Sequence, residues 1–348
     1  MKKAVMRDAW LDQVQEVPLD PGQPVIDPHH HLWLDHPRRD FSYSIDQLGA
    51  DATAGHKVLA TVFVNCSPQY RLAGPDHLKP VGETEWVDAC AEDYARRNPD
   101  GPRLCAGIVG HVDCRQDIGL IDEALQAHKA ASQRFRGIRH SAAWSDDPIV
   151  QEGRAAGMFP RHMYTTAAFQ KGVARLAQHG LSFDSWLYSD QLPELIQVAR
   201  AAPDTPIVLD HFGAPLAQGR WAAQREAVLS EWKKAITELA SFPNMHIKLG
   251  GTVMPMFGYD WESQPLPPSS DELVKASGHL FHFAIEAFGP SRCMFESNFP
   301  VDRIACGYVP LWNSFKKIAA LYSASEQADL FWGTARRFYR LDAVKAPG

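Results

Sequence analysis

No stretch of the 348 residues approaches the apolar length of a membrane-spanning helix, which needs roughly eighteen or more consecutive apolar residues. No membrane span is therefore expected. The six cysteines (Cys66, Cys90, Cys105, Cys114, Cys293 and Cys306) form no CxxC pair, which argues against a zinc ribbon or dithiol redox motif. Most lie in apolar stretches and are expected to be buried free thiols in a reducing cytoplasm. Basic residues are neither in excess nor clustered: 35 Lys and Arg stand against 41 Asp and Glu, for a net charge of −6. The electrostatic footprint of a nucleic-acid binder is missing. The opening Met-Lys-Lys-Ala-Val-Met-Arg-Asp-Ala-Trp lacks the apolar core of a signal peptide, so a cytoplasmic protein is expected. No linker divides the chain, and no repeat is evident beyond a strand–helix period.

What is present is an ordinary globular composition, 45% hydrophobic and 22% charged, in a chain long enough to bury a core without staples. Eight strand-like runs stand out, at 25–31, 58–65, 103–109, 134–140, 181–187, 206–211, 245–250 and 292–298. Helical spacing of apolar residues fills the intervals at 83–97, 116–130, 165–179, 191–202, 221–241, 271–288 and 310–321. Strand-then-helix repeated eight times implies a parallel sheet with crossover helices, and predicts an α/β, single-domain (β/α)8 TIM barrel. An open doubly wound sheet is the alternative. That fold commonly places a glycine-rich phosphate turn after its first strand; here the first strand ends in histidines. The expected organisation is an N-terminal extension over 1–24, the barrel over 25–341 and a tail over 342–348. Two long loops, 66–82 after the second strand and 251–270 after the seventh, are rich in Pro and Gly. The second carries Phe257, Tyr259 and Trp261, which is expected of a lid or binding loop over the barrel mouth.

The most informative stretch is Ile26-Asp27-Pro28-His29-His30-His31. Alternate side chains of a strand face the same way, so His29 and His31 point together and His30 away. Two imidazoles on one wall can hold a divalent metal or hydrogen-bond a polarised oxygen. The plainer alternatives are a purification tag, against which the internal position argues, or a surface histidine cluster. Barrel chemistry collects at the carboxyl ends of strands, and other strands end in polar groups too: Arg139-His140, Asp210-His211 and Glu296-Ser297-Asn298, with Lys248 on the seventh. Taken singly, each has a bland account. His211 fits a core or cap residue, Arg139 a rim ion pair, and Lys248 with Glu296 a buried pair. Five polar strand ends on one face are harder to explain that way.

The segments VIDPHHHLW (25–33), FRGIRH (135–140), LPELI (192–196), IVLDHFGAP (207–215), HIKLGG (246–251) and MFESNFPVD (294–302) together resemble the amidohydrolase superfamily in its amidohydrolase-related (family 2) lactonase branch. The resemblance runs from about Pro24 to Leu341. It implies that His29 and His31 form the HxH pair of strand one and His211 the histidine after strand six. It implies that Arg139 binds a substrate carbonyl or carboxylate. The branch usually has Gly-Ser-Asp-Trp-Pro at strand eight, its Asp acting as base or metal ligand; here the motif reads Glu296-Ser297-Asn298-Phe299-Pro300. An amide has no usable basicity near neutral pH, so Asn298 can orient a water or offer an oxygen to a metal, and no more. Glu296, two residues earlier, is expected to face the same way and to take over part of the base's role, unless it lies deeper and pairs with Lys248.

The expected activity is opening of a lactone of a small anionic sugar acid or aromatic-degradation intermediate by an activated water. His29, His31, His211, Glu296 and Asn298 are the catalytic candidates, and Arg139, His140, Trp186 and Lys248 the substrate-binding ones. A single divalent ion, zinc by the donor types, is expected on His29, His31 and His211, with no organic cofactor. The alternatives are a metal-dependent non-oxidative decarboxylase on the same scaffold and a ligand-binding homologue without turnover. The expected partner is a small molecule, with neither nucleic acid nor membrane; the sequence allows a homo-oligomer.

Overall fold

The computed structural model describes residues 7–34, 40–67, 69–150 and 159–345. Residues 1–6 of the expected extension, Pro68 of the first long loop and 346–348 of the tail lie outside them. Eight parallel strands follow one another around a single sheet: β1 (Pro24–His30), β2 (Lys57–Val64), β3 (Arg103–Gly110), β4 (Phe135–Arg139), β5 (Ser182–Ser185), β6 (Ile207–Leu209), β7 (Met245–Leu249) and β8 (Cys293–Phe295). The ring is nearly closed between β8 and β1. The His31 amide donates to the Phe299 carbonyl at 2.7 Å and the Asn298 amide to the His29 carbonyl at 2.9 Å. Asp27 adds a stitch: its Oδ1 accepts from the Ser297 amide at 2.9 Å and its Oδ2 from the Tyr308 hydroxyl at 3.2 Å. The result is the predicted (β/α)8 barrel.

Strands such as β2 (KVLATVFV) are apolar on both faces because one packs into the barrel and the other against helices. The helix Ala167–Gln178 buries Phe169, Gly172, Val173 and Leu176, at helical spacing, and starts where the Thr166 side chain accepts from the Phe169 amide. Ser269 and Glu272 form a capping box at the start of Ser270–Phe288. One barrel helix escapes the sequence reading, Ile45–Ala52 between β1 and β2. It has eight residues and one apolar stripe (Ile45, Leu48, Gly49, Ala52), too short for a window of eleven or so to register. Its Ser44/Gln47 capping box was the available signal.

A core of Val, Leu, Ile and aromatic side chains lies between strands and helices. A second cluster fills the barrel axis: Ile26, Val62, Val109, Val208 and Met294 meet Phe338, Tyr339 and Leu341 of the C-terminal segment, which plugs the barrel from below. The N-terminal segment is strapped to the outside, where the Glu16 carboxylate accepts from Ser270 and Asn313. Of the aromatic loop, Phe257 is buried in the core and Tyr259 donates to the Ala276 carbonyl at 2.8 Å while facing Arg225. Among the described residues, no ring contact or hydrogen bond links these two side chains to the histidines of the mouth.

Candidate active site

Strands β6 and β8 end with their apolar runs, at Leu209 and Phe295, short of the expected 206–211 and 292–298. The polar residues therefore sit in turns. His211 (φ 51°) and Phe212 (φ 59°) are left-handed, as is Asn298 (φ 54°). Each such residue costs roughly 1 to 2 kcal/mol, and the turn swings the His211 imidazole back over the barrel mouth. Two glycines of HIKLGG make room, one for His211 and one for Glu296. A Cβ on Gly251 (φ 72°) would lie 2.7 Å from His211 Nδ1. A Cβ on Gly250 would strike the backbone oxygen and Cγ of Glu296.

His29, His31 and His211 meet at one rim. The rings of His29 and His31 are 4.9 Å apart and those of His29 and His211 4.5 Å. Glu296 lies beneath them and pairs with two of them. Its Oε1 accepts from His211 Nδ1 at 2.6 Å and its Oε2 lies 2.9 Å from His29 Nδ1. Burial alone would raise this carboxyl, but the His211 and His29 imidazoles overcome it and hold it down at about 2. Glu296 is therefore an ionised anchor, with one oxygen turned to His211 Nδ1 and the other to His29 Nδ1. Lys248 pairs elsewhere: its Nζ is 2.7 Å from Asp184 Oδ2, 3.0 Å from Asp210 Oδ1 and 3.1 Å from His29 Nδ1.

The proton on His29 is contested. With Lys248 donating to Nδ1, the Nε2–H points at His31 Nε2, 3.3 Å away. With Nδ1–H given to Glu296, His29 Nε2 is bare. His31 Nε2 is bare in both cases, because its Nδ1 must donate to the Val64 carbonyl at 2.7 Å. Burial pushes His29 and His31 well below the usual imidazole range, so both are neutral, the form that binds metal.

One group among the described residues has the geometry to hold a metal ion: His29, Asp210 and His211, whose ligand atoms lie within 4.8 Å of one another. Three further observations fit a cation there. Both Asp210 carboxylate oxygens are buried with no hydrogen bond of good geometry, facing the Lys248 ammonium at 3.0 Å and the Arg139 guanidinium at 3.9 Å. Asp184, Asp210 and Glu296 are buried carboxylates, with the Lys248 ammonium buried among them and Arg139 at the edge. Glu296 takes the Nδ1 side of two imidazoles, the usual outer-shell partner of a metal-bound histidine. Asp210 thus stands where the sequence reading had His31. Nothing in the resemblance marked it, although an acid closing the run Ile207-Val208-Leu209 was the available signal.

Arg139 reaches the cluster, with Nη1 3.5 Å from His29 Nε2 and 3.9 Å from Asp210 Oδ2, and donates through Nη2 to the Asn65 carbonyl. The Trp186 ring meets His211 edge-on at 4.9 Å. His140 does not join them. Strand alternation sends it to the other side of β4 from Arg139, where its Nδ1 accepts from the Cys114 amide at 3.2 Å and its ring packs on Phe169. Asn298 is also turned away, its Nδ2 donating to Asp302 Oδ1 at 2.7 Å. The expectation that it shares a face with Glu296 fails because the strand has ended and alternation with it.

A barrel gathering imidazoles and carboxylates at the carboxyl ends of its strands is an enzyme scaffold with a metal-type donor set. The chain belongs to the amidohydrolase family, whose pattern matches residues 26–341. It is 32% identical over 91% of its length, and 98% of the relative's, to the uncharacterized protein y4mH of Sinorhizobium fredii. It is 28% identical to an L-fucono-1,5-lactonase of Burkholderia multivorans, over 91% of this chain and 96% of that one. An amidohydrolase from Burkholderia multivorans, solved with bound zinc, superposes with a TM-score of 0.67 at 27% identity, over 91% of this chain and 99% of that one.

Proposed function

We propose that this protein hydrolyses a lactone of a small, anionic sugar acid or aromatic-degradation intermediate. The observation that carries the reading is the Glu296 carboxylate gripping His211 Nδ1 at 2.6 Å beneath the His29 and His31 pair. That grip turns the His211 Nε2 lone pair toward the mouth. His29, Asp210 and His211 are the residues that would hold a divalent ion, with zinc fitting two imidazoles and a carboxylate. Bound there, such an ion supplies Lewis acidity to a carbonyl and lowers the pKa of water.

The chain's own groups do the rest. Arg139 faces the developing oxyanion or a substrate carboxylate. The bare Nε2 of His31 accepts the proton of the attacking water as its oxygen bonds to the carbonyl carbon. The ring C–O bond then breaks, and the alkoxide recovers that proton from His31, giving the open hydroxy acid. Trp186 offers an aromatic edge to the ring. The relative named L-fucono-1,5-lactonase supports this class.

Decarboxylation is the second reading, since a 5-carboxyvanillate decarboxylase of Sphingomonas paucimobilis shares the fold at 13% identity. The test is turnover of a lactone panel, including L-fucono-1,5-lactone, by protein of measured metal content. Acid release that is lost in chelator and restored by zinc is expected. Carbon dioxide release from aromatic acids without lactone opening overturns the reading, and activity retained at negligible metal content removes the ion from it.

A further inference from the structure

Glu83, in the first turn of the helix Val81–Arg97, lies in none of the motifs above and is fully buried. Its carboxylate faces the loop that leaves β2. Oε1 accepts from two consecutive amides, Cys66 at 3.1 Å and Ser67 at 2.6 Å, and Oε2 accepts from Asn65 Nδ2. Ser67 is left-handed (φ 75°), a conformation that aims successive N–H groups at one anion. The Cys66 N–H and the Asn65 C=O belong to one planar trans peptide, so they point in opposite directions. The N–H end meets Glu83. The C=O end meets Arg139 Nη2.

We propose that Glu83 is a positioning residue for Arg139, acting through the peptide unit between Asn65 and Cys66. A rigid plane gripped at its N–H end fixes the direction of its carbonyl, and a carboxylate on that N–H makes the carbonyl a stronger acceptor for the guanidinium. Val64, one residue earlier, anchors His31 through its own carbonyl, so this short turn sets two site groups at once. Burial raises the Glu83 carboxyl to about 7, against the pull of its N–H donors and of the nearby Arg139 charge. The proposal deepens the lactonase reading in that it rests on Arg139 as the anion-facing group.

Two measurements test it. In the first, L-fucono-1,5-lactone hydrolysis is followed for the parent, E83A, E83Q, R139M and E83A/R139M, with melting temperatures as a folding check. E83A is expected to lower kcat/KM about tenfold in the parent and less than about twofold in R139M, and E83Q to stay within about threefold, because its oxygen still accepts the two amides. Equal losses in both backgrounds make Glu83 a general scaffold and overturn the proposal. If E83A does not fold, E83D takes its place; it withdraws the carboxylate by one methylene.

The second measurement needs no substrate. The arginine side-chain 15N–1H spectrum is recorded, with the Arg139 signal identified by its loss in R139K. That signal is expected to shift or broaden in E83A, or in E83D if E83A is unfolded, and to persist in E83Q. An unmoved signal refutes the proposal whatever the kinetics. A moved signal without lactone turnover by the parent upholds the positioning link and overturns the lactonase reading instead.

Discussion

Gly251→Ala adds one methyl group, and the structure fixes what that methyl meets. The new Cβ would lie 2.7 Å from His211 Nδ1, 2.8 Å from Cγ and 2.9 Å from Cβ, on a backbone at φ 72°. Ordinary contact begins near 3.4 Å, so the imidazole must retreat by about 0.7 Å. It cannot retreat freely, because Nδ1 is bonded to Glu296 at 2.6 Å. The left-handed backbone alone costs about 1 to 2 kcal/mol for a residue with a Cβ. For a chain of this length the unfolding entropy is about 0.7 kcal/mol/K, so the melting temperature should fall by about 2 °C. A catalytic group displaced by close to an ångström loses about a hundredfold in rate. The variant should therefore be nearly as stable as the parent and almost inactive, with weakened metal retention. Differential scanning fluorimetry, turnover and metal analysis on the same preparation test this. Activity within threefold of the parent would show that His211 does not act from the observed position.

Glu296→Gln is expected to cost about a hundredfold in kcat and ten- to a hundredfold in metal affinity, as loss of an outer-shell carboxylate does; full turnover at saturating substrate would sink its anchoring role. Asp210→Asn should leave the protein folded and strip its metal, which elemental analysis reads directly; stoichiometric zinc in that variant argues against Asp210 as a ligand. Acid should destabilise the fold through His128 and His246, which burial lowers from 6.5 to about 4. Both are neutral in the folded protein, while the unfolded chain takes up protons below 6.5. The stability they provide is full above that pH and is lost as pH falls towards 4, by at most about 3 kcal/mol each. Unfolding midpoints measured in urea between pH 7 and 4.5 should fall accordingly, and H128Q should flatten the slope; an unchanged slope refutes the assignment.

The strand–helix period and the HxH pair were readable because both depend on local spacing. The β2 run is apolar from Val58 to Val64 but for Thr61, and His29 and His31 share a face by alternation, so neither needs tertiary information. The reading weakened where strands stop. A strand end is set by the turn that follows, and the left-handed His211 and Asn298 carry only the general enrichment of His and Asn in that region. The same limit made Asn298 a neighbour of Glu296 when its amide is spent on Asp302, and grouped His140 with Arg139 although they straddle the strand. Asp184 went unselected because a buried acid is recognisable only once its partner, Lys248 two strands away, is known; Asp210 was passed over although it closes an apolar run.

Tyr339 donates its hydroxyl to Asp184 Oδ2 at 2.7 Å, at the foot of the column that rises through Lys248 to His29. Translation reaches this tyrosine only after every strand has been made. Until then the nascent barrel carries ionic groups on its axis with no floor beneath them, open to water from the amino end. Chains halted short of the last turns would lack the Tyr339 hydroxyl and the Phe338 and Leu341 plug, and with them the dry base on which the rim imidazoles are seated.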